Sequence, residues 1–418
     1  MSVADEAFKA AVAELWHQRL KRTASGAIAD DPYNVALYLD HEEALRGMLA
    51  LDAFSHRIIK RRPPPWHSDA LDWSDFDETL LRVYLVEKHG AAFSLQNVQH
   101  GAIYTAAKYS AHPVREYLDG LAWDGEPRLD TWIAYYLDAI HYATTDPQKE
   151  YLYLVGRLWM IAAVARVMEP GCKFDNVLIL EGDQGIGKST AFRILAGPWF
   201  HDTPFRIGDK DAYQQLPGQW IVELAELENF SGVESSRAKA FFSSATDRFR
   251  PSYGRHPVEF RRQCVFGGTT NQREYLKDST GNRRYWPVTC HRLLADELEA
   301  DRDQLWAEAF DRYKAGSPWY LPQGHALAPV FDEEQRAREL EDPWETAIER
   351  WTDGRREAFT LHDVLQWALG VDTHSMHRRD HATRVGVILH KLGYVKKKAT
   401  TREGRKLGGH FYVKSDTR

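Results

Sequence analysis

Gly182, Asp183, Gln184, Gly185, Ile186, Gly187, Lys188, Ser189 and Thr190 form one uninterrupted run in which Gly182 and Gly187 bracket four residues and Lys188-Ser189 follow directly. Glycines at this spacing let the backbone wrap closely around phosphate groups. Lys188 then reaches the β- and γ-phosphates as a point charge, and the Ser189 hydroxyl holds a divalent ion. The chemistry expected is binding of ATP with Mg²⁺. Such a loop works only between two particular elements, and both are legible. Val177 to Leu180 is an uncharged aliphatic run, as expected of a strand buried on both faces of a parallel sheet. Thr190 to Leu195 can continue as a helix whose amino end favours anions.

Three later stretches supply groups that a hydrolytic site needs. In Trp220-Ile221-Val222-Glu223-Leu224-Ala225-Glu226, an apolar strand runs into acids able to hold Mg²⁺ through water and polarise the attacking water. Glu226 stands where the strand should end and is favoured. Glu223 lies inside the strand, needs a polar partner if buried, and stays a close second. Cys264 to Asn271 is a strand ending in small polar residues, and the Asn271 amide can bond both the γ-phosphate and the lytic water. Arg283 and Arg284 precede another apolar run. A guanidinium there suits stabilisation of a transferring phosphoryl group across a subunit boundary, with a structural salt bridge as the competing role.

Two segments read as nucleic-acid surfaces. Between Ser244 and Arg262, the basic Arg248, Arg250, Arg255, Arg261 and Arg262 alternate with Phe249, Tyr253, His256 and Phe260, against the two acids Asp247 and Glu259. That mixture suits a loop that follows a single-strand backbone and stacks on bases; a lid over the nucleotide is the alternative. From Met376 to Arg418 there are twelve Lys or Arg, among them Lys396, Lys397, Lys398, Arg402, Arg405 and Lys406, against three acids. This tail is strongly basic within a chain whose formal net charge as a whole is -6. Two helices, one starting at the Thr360 cap and one from about Thr383 to Leu392, followed by a basic hairpin, give a winged-helix outline.

The 418 residues divide into a helical region over 1–105, a helical collar over 106–170, an ATPase core over 171–300, a helical linker or lid over 301–345 and a basic winged-helix-like domain over 346–418. The fold class expected is α/β. Cys172, Cys264 and Cys290 match no zinc spacing and cannot all pair, which fits a reducing cytoplasm. The most apolar stretch, Tyr151 to Met168, is interrupted by Arg157 and Arg166, so a buried helix is expected and no membrane partner. The first 100 residues contain neither a Cys-rich ribbon nor an Asp-x-Asp strand, so no polymerase site is expected there.

Taken in order, His112 to Leu118, Trp123-Asp124-Gly125, the glycine loop, Val222 to Leu227, Asp247 to Arg255, Gly268 to Asn271 and Gly281 to Arg284 resemble the virulence-associated E (VapE-like) proteins. These are phage and plasmid ATPases akin to superfamily 3 helicases and to the carboxy-terminal halves of primase-helicases. The resemblance covers about residues 105 to 290. It implies an AAA+-like P-loop core of superfamily 3 helicase type, a hexameric ring, and movement on single-stranded or forked DNA during replication of a mobile element. It also implies Lys188 and Ser189 as phosphate and Mg²⁺ residues, Glu226 or Glu223 as the acidic motif, Asn271 as sensor, and Arg283 or Arg284 as the finger. A separate primase or polymerase is the further partner it points to. A nucleotide-switched DNA-binding ATPase that assembles without unwinding, as an initiator or an interference factor against phage, is the alternative.

Overall fold

The computed structural model describes residues 15–68, 70–204, 207, 210–225, 232–250, 257–276, 282–340, 342–355, 357–372, 379–398 and 410–415. The chain forms two compact units, Met1–Arg338 and Glu339–Arg418.

In the first unit, residues before the glycine loop build a layer of three helices, α1 (Pro32–His41), α2 (Asp75–His89) and α3 (Leu95–Lys108), around strands β1 (Leu49–Asp52), β2 (Ile58–Lys60) and β3 (Ser110–Ala111). The order is β2-β1-β3, with β1 antiparallel to β2 and parallel to β3. This small sheet adds strands to a region whose sequence reads mostly as helices. Its strands are four, three and two residues long, too short for an alternating pattern to stand out in a sequence. Ser74 caps α2, and Asp77 closes the capping box. Asp77 also receives the Lys60 ammonium at 2.8 Å with both side chains buried. Burial pushes the Asp77 carboxyl up, but hydrogen bonds from Lys60, Trp66 and Ser74 outweigh it and hold it down to about 2. The stability this adds is present above the ordinary carboxylate range and is lost as pH falls toward 2. Asp77→Ala should cost about 3 to 5 kcal/mol at neutral pH, because Lys60 is left as an uncompensated buried charge. Urea unfolding checks this, and a loss under 1 kcal/mol would show that Lys60 finds another partner.

The centre of the unit is a five-stranded parallel sheet: β4 (Val177–Glu181), β5 (Phe200–His201), β6 (Ile221–Ala225), β9 (Val265–Thr270) and β10 (Tyr285–Thr289), in the order β10-β4-β9-β6-β5. Every residue of β4 and of β9 is buried, which is why both read as continuous apolar or small-residue runs. Helix α4 (Asp146–Met168) starts from a Thr145/Gln148 capping box. It is tied to the sheet region by Trp159 Nε1 to Phe266 O at 3.1 Å and by Trp220 Nε1 to Ala163 O at 2.9 Å. Its length and hydropathy would suffice to cross a membrane, yet 83% of its most apolar window is buried inside the protein. Helix α5 (Lys188–Ala196) follows the glycine loop. It packs Phe192 so closely on β9 that a Cβ at Gly267 would lie 2.5 Å from the ring. The other face of the sheet carries α6 (Gly232–Ser243), whose Ala238, Phe241 and Phe242 join Val177, Ile179 and Val222 in one core. A hairpin of β7 (Thr246–Phe249) and β8 (Val258–Arg261) lies between α6 and β9 in the chain. Helices α7 (Ala295–Lys314) and α8 (Ala328–Arg336) complete the unit.

The second unit contains α9 (Pro343–Thr352), β11 (Phe359–Thr360), α10 (Arg379–Lys391), β12 (Tyr394–Lys398) and β13 (His410–Lys414). Its antiparallel sheet has the order β11-β13-β12. Ile348, Val364, Leu365, Val385, Ile388 and Leu389 fill its core against Phe359, Tyr394 and Tyr412. Thr360 caps the turn that follows it, with Asp363 reciprocating.

Candidate nucleotide site

Residues 182–187 leave the carboxyl end of β4, where the crevice of an open parallel sheet lies. Gly182, Gly185 and Gly187 have φ of 142°, 87° and 97°, a backbone region closed to most side chains. Space closes two of these positions as well. A Cβ at Gly182 would stand 2.6 Å from the Cys290 carbonyl, and one at Gly187 would stand 2.8 Å from the Leu293 side chain. The glycine pattern thus answers both a conformational and a packing demand.

Four sequence-selected residues converge beside this loop. The Lys188 ammonium donates to the carbonyls of Gly182 at 2.7 Å and Asp183 at 2.8 Å, and to Asn271 Oδ1 at 2.9 Å. Ser189 Oγ donates to Glu223 Oε1 at 2.6 Å, and Thr269 Oγ1 donates to the same oxygen at 2.7 Å. Asn271 follows β9 directly, and its neighbours Thr269 and Thr270 are buried. A cleft of about 310 Å³ is lined by Gln184, Gly185, Gly187 to Thr190, Ala225 and Thr269 to Asn271. A cation, a hydroxyl, a carboxylate and an amide around a glycine loop can neutralise and orient a polyphosphate, and a hydroxyl beside a carboxylate suits a hard cation.

Glu223 is buried inside β6, and the polar partners it needs are Ser189 and Thr269. Glu226 lies outside the described residues. The two arginines are placed apart from the loop. They sit in the turn Asn282–Arg284 just before β10, and β10 runs parallel to β4 with Tyr285 opposite Val177 and Thr289 opposite Glu181. The pair therefore lies at the strand starts and the glycine loop at the strand ends, roughly 13 Å apart for four steps of about 3.3 Å. Arg284 is held by Asp175 at 3.2 Å and by Ser243 Oγ at 3.1 Å, whereas the Arg283 side chain is exposed.

One group near the loop has no signal in the sequence. Arg338, just beyond α8, meets Glu181 with Nε at 2.9 Å and Nη2 at 3.0 Å, and also pairs with Glu334. Burial works against its charge, but the Glu181 and Glu334 carboxylates more than restore it. Tyr275 and Thr289 also donate to Glu181, at 2.7 and 3.0 Å. The last residue before the glycine loop is thus fixed by partners that are distant in the chain.

In the β7–β8 hairpin, Arg248 and Arg250 are exposed, while Tyr253 and Arg255 lie outside the described residues. Phe249 and Phe260 stack on each other at 4.7 Å and 18°, so these two rings serve the hairpin. Arg262 is fully buried against Asp247, with Nε 2.9 Å from Oδ2, and lies over the Phe241 ring at 4.7 Å. Its role is structural, unlike the surface role its place in a basic segment implies. Lys396, Lys397 and Lys398 are all exposed on β12, and Arg402, Arg405 and Lys406 lie outside the described residues. Among the described residues no group of three or more His, Cys, Asp or Glu could hold a metal ion.

No curated protein matches the chain. Among solved structures, the A form apo structure of the NrS-1 C-terminal region is 13% identical and covers 92% of this chain and 100% of that one, with a TM-score of 0.44. Another apo structure of that region is 13% identical, covers 87% and 95%, and has a TM-score of 0.43. The model of the virulence-associated protein E-like domain matches residues 118–339, a stretch that spans the whole parallel sheet, the glycine loop and the arginine turn. With more than half of its length matched, the chain belongs to the virulence-associated protein E-like domain family.

Proposed function

We propose that this protein is an ATP-dependent DNA helicase or translocase of phage or mobile-element type, working as a ring on single-stranded or forked DNA. The observation that carries the reading is the convergence of Lys188, Ser189, Glu223 and Asn271 on one glycine loop at the carboxyl end of a parallel sheet, with an exposed Arg283 at the opposite end of the strands. Lys188 would hold the β- and γ-phosphates, and Asn271 would bond the γ-phosphate and orient the attacking water. Ser189 and, through water, Glu223 would hold Mg²⁺, which neutralises charge on the phosphates when bound. Their hydroxyl and carboxylate oxygens fit such an ion. Arg283 cannot reach its own loop, so its place in the chemistry is the site of a neighbouring subunit in a hexamer. Arg248 and Arg250, with Lys396 to Lys398, would contact DNA phosphates. A separate primase or polymerase would supply synthesis, and a cytoplasmic location fits three free cysteines, two of them buried.

A second reading is a nucleotide-switched DNA-binding ATPase that assembles on DNA without unwinding it. The exposed lysine row of β12 favours DNA contact under both readings. ATP turnover with and without single-stranded DNA, beside strand displacement on a forked duplex, separates them. The expected result is stimulated turnover with displacement. Stimulation without displacement selects the second reading, and an absence of turnover defeats both. Reversing Lys396, Lys397 and Lys398 to Glu should weaken DNA binding and lower its salt slope by about 2, at about 0.7 per single-strand phosphate contact, while basal turnover survives. An unchanged slope would make the row a solvated surface only.

A further inference from the structure

An exposed aromatic group next to the glycine loop has no place in the account above. His141 and His291 stack at 4.7 Å with 22° between their planes, and the Tyr142 ring stands edge-on to both, 5.3 Å from His141 at 86° and 6.2 Å from His291 at 64°. All three are exposed, Tyr142 by 44%.

Their anchorage ties them to the phosphate loop. His291 follows Cys290, whose carbonyl closes on Gly182 and whose N–H donates to the Glu181 carbonyl at 2.8 Å. Two residues further on, Leu293 packs on Gly187. The His291 N–H donates to the Leu137 carbonyl at 3.1 Å, and Arg292 pairs with Asp138 at 3.2 Å, which joins this segment to the one bearing His141 and Tyr142. Tyr142 also lines a cleft of about 460 Å³ whose walls include Gly182 and Asp183. The Cys290 carbonyl on Gly182 and the Leu293 side chain on Gly187 therefore join the segment that bears these exposed rings directly to the glycine loop.

We propose that the Tyr142 ring, braced edge-on by the stacked His141–His291 pair, is the platform on which the base of the bound nucleoside triphosphate stacks. The proposal rests on the nucleotide reading of the glycine loop and adds the subsite for the base. Stacking requires only a π face, so this platform favours large purine rings without reading their edges.

The test compares ATP with inorganic tripolyphosphate, which has the phosphates and no base, by calorimetric titration of the wild-type chain and of Tyr142→Ala and His291→Ala. Each variant should bind ATP about 10-fold more weakly, within the range that one stacked base contributes, and bind tripolyphosphate unchanged. Tyr142→Phe, which keeps the ring, should bind ATP as the wild type does. Unchanged ATP affinity in both alanine variants would overturn the platform. Equal weakening toward both probes would also overturn it, since it would mean a distorted loop. Failure of the nucleotide reading looks different: the wild-type chain would then bind neither probe.

Discussion

Lys188→Ala is expected to lower ATP hydrolysis by about 10³-fold, while folding and nucleotide-free DNA binding survive. The ammonium donates to two loop carbonyls and the Asn271 amide oxygen, which hold its positive charge at the place where phosphate charge would concentrate. Loss of one preorganised donor in a shielded site typically costs 10² to 10³ in rate. On the proposed reading Lys188 would also neutralise ground-state phosphate charge, so ATP binding should weaken with it. The measurement is steady-state hydrolysis beside circular dichroism. Undiminished turnover in a folded variant would remove the glycine loop from the chemistry.

Arg283→Ala should bind ATP nearly as the wild type does and lose about 10³ to 10⁵ in turnover, because a guanidinium supplied by a neighbour acts on charge that develops in the transition state. Reach is the reason to expect action in trans. The arginine turn precedes β10 and the glycine loop follows β4, two paired parallel strands in register. Arg284→Ala should do less to turnover, since its side chain is held by Asp175 and Ser243 of the same chain. Mixing gives the decisive result. A Lys188→Ala subunit keeps its arginine and an Arg283→Ala subunit keeps its loop, so the two inactive variants should rebuild working sites at shared interfaces. Activity should return on mixing and rise with protein concentration. Mixtures of exchanging, assembled subunits that stay inactive would leave Arg283 a surface residue and take away the main support for a ring.

The glycine loop was readable from the sequence because everything it needs is contiguous: an apolar strand, glycines at positions of positive φ, and a helix start that places Lys188 and Ser189. Local backbone chemistry is written locally. The caps at Ser74, Thr145 and Thr360 belong to the same class, since each involves a partner three residues away. The basic surface of β12 is equally legible, because charge needs no partner to be exposed.

Tertiary structure decided what depends on facing and on reach. Side chains alternate along a strand, so only the packing of α5 against β6 could show that Glu223 meets Ser189. Only the parallel pairing of β10 with β4 could put Arg283 and Arg284 at the strand end away from the loop, and only the neighbourhood of Asp175 could tell the held side chain from the exposed one. Arg262 reads as a basic-loop residue until Asp247 buries it, and Phe249 reads as a stacking platform until Phe260 covers it. Arg338 and Glu181, 157 residues apart, have no shared pattern to find. A sequence displays period and local conformation, whereas partnership between distant side chains exists only once the sheet has chosen its strand order and each strand its inward face.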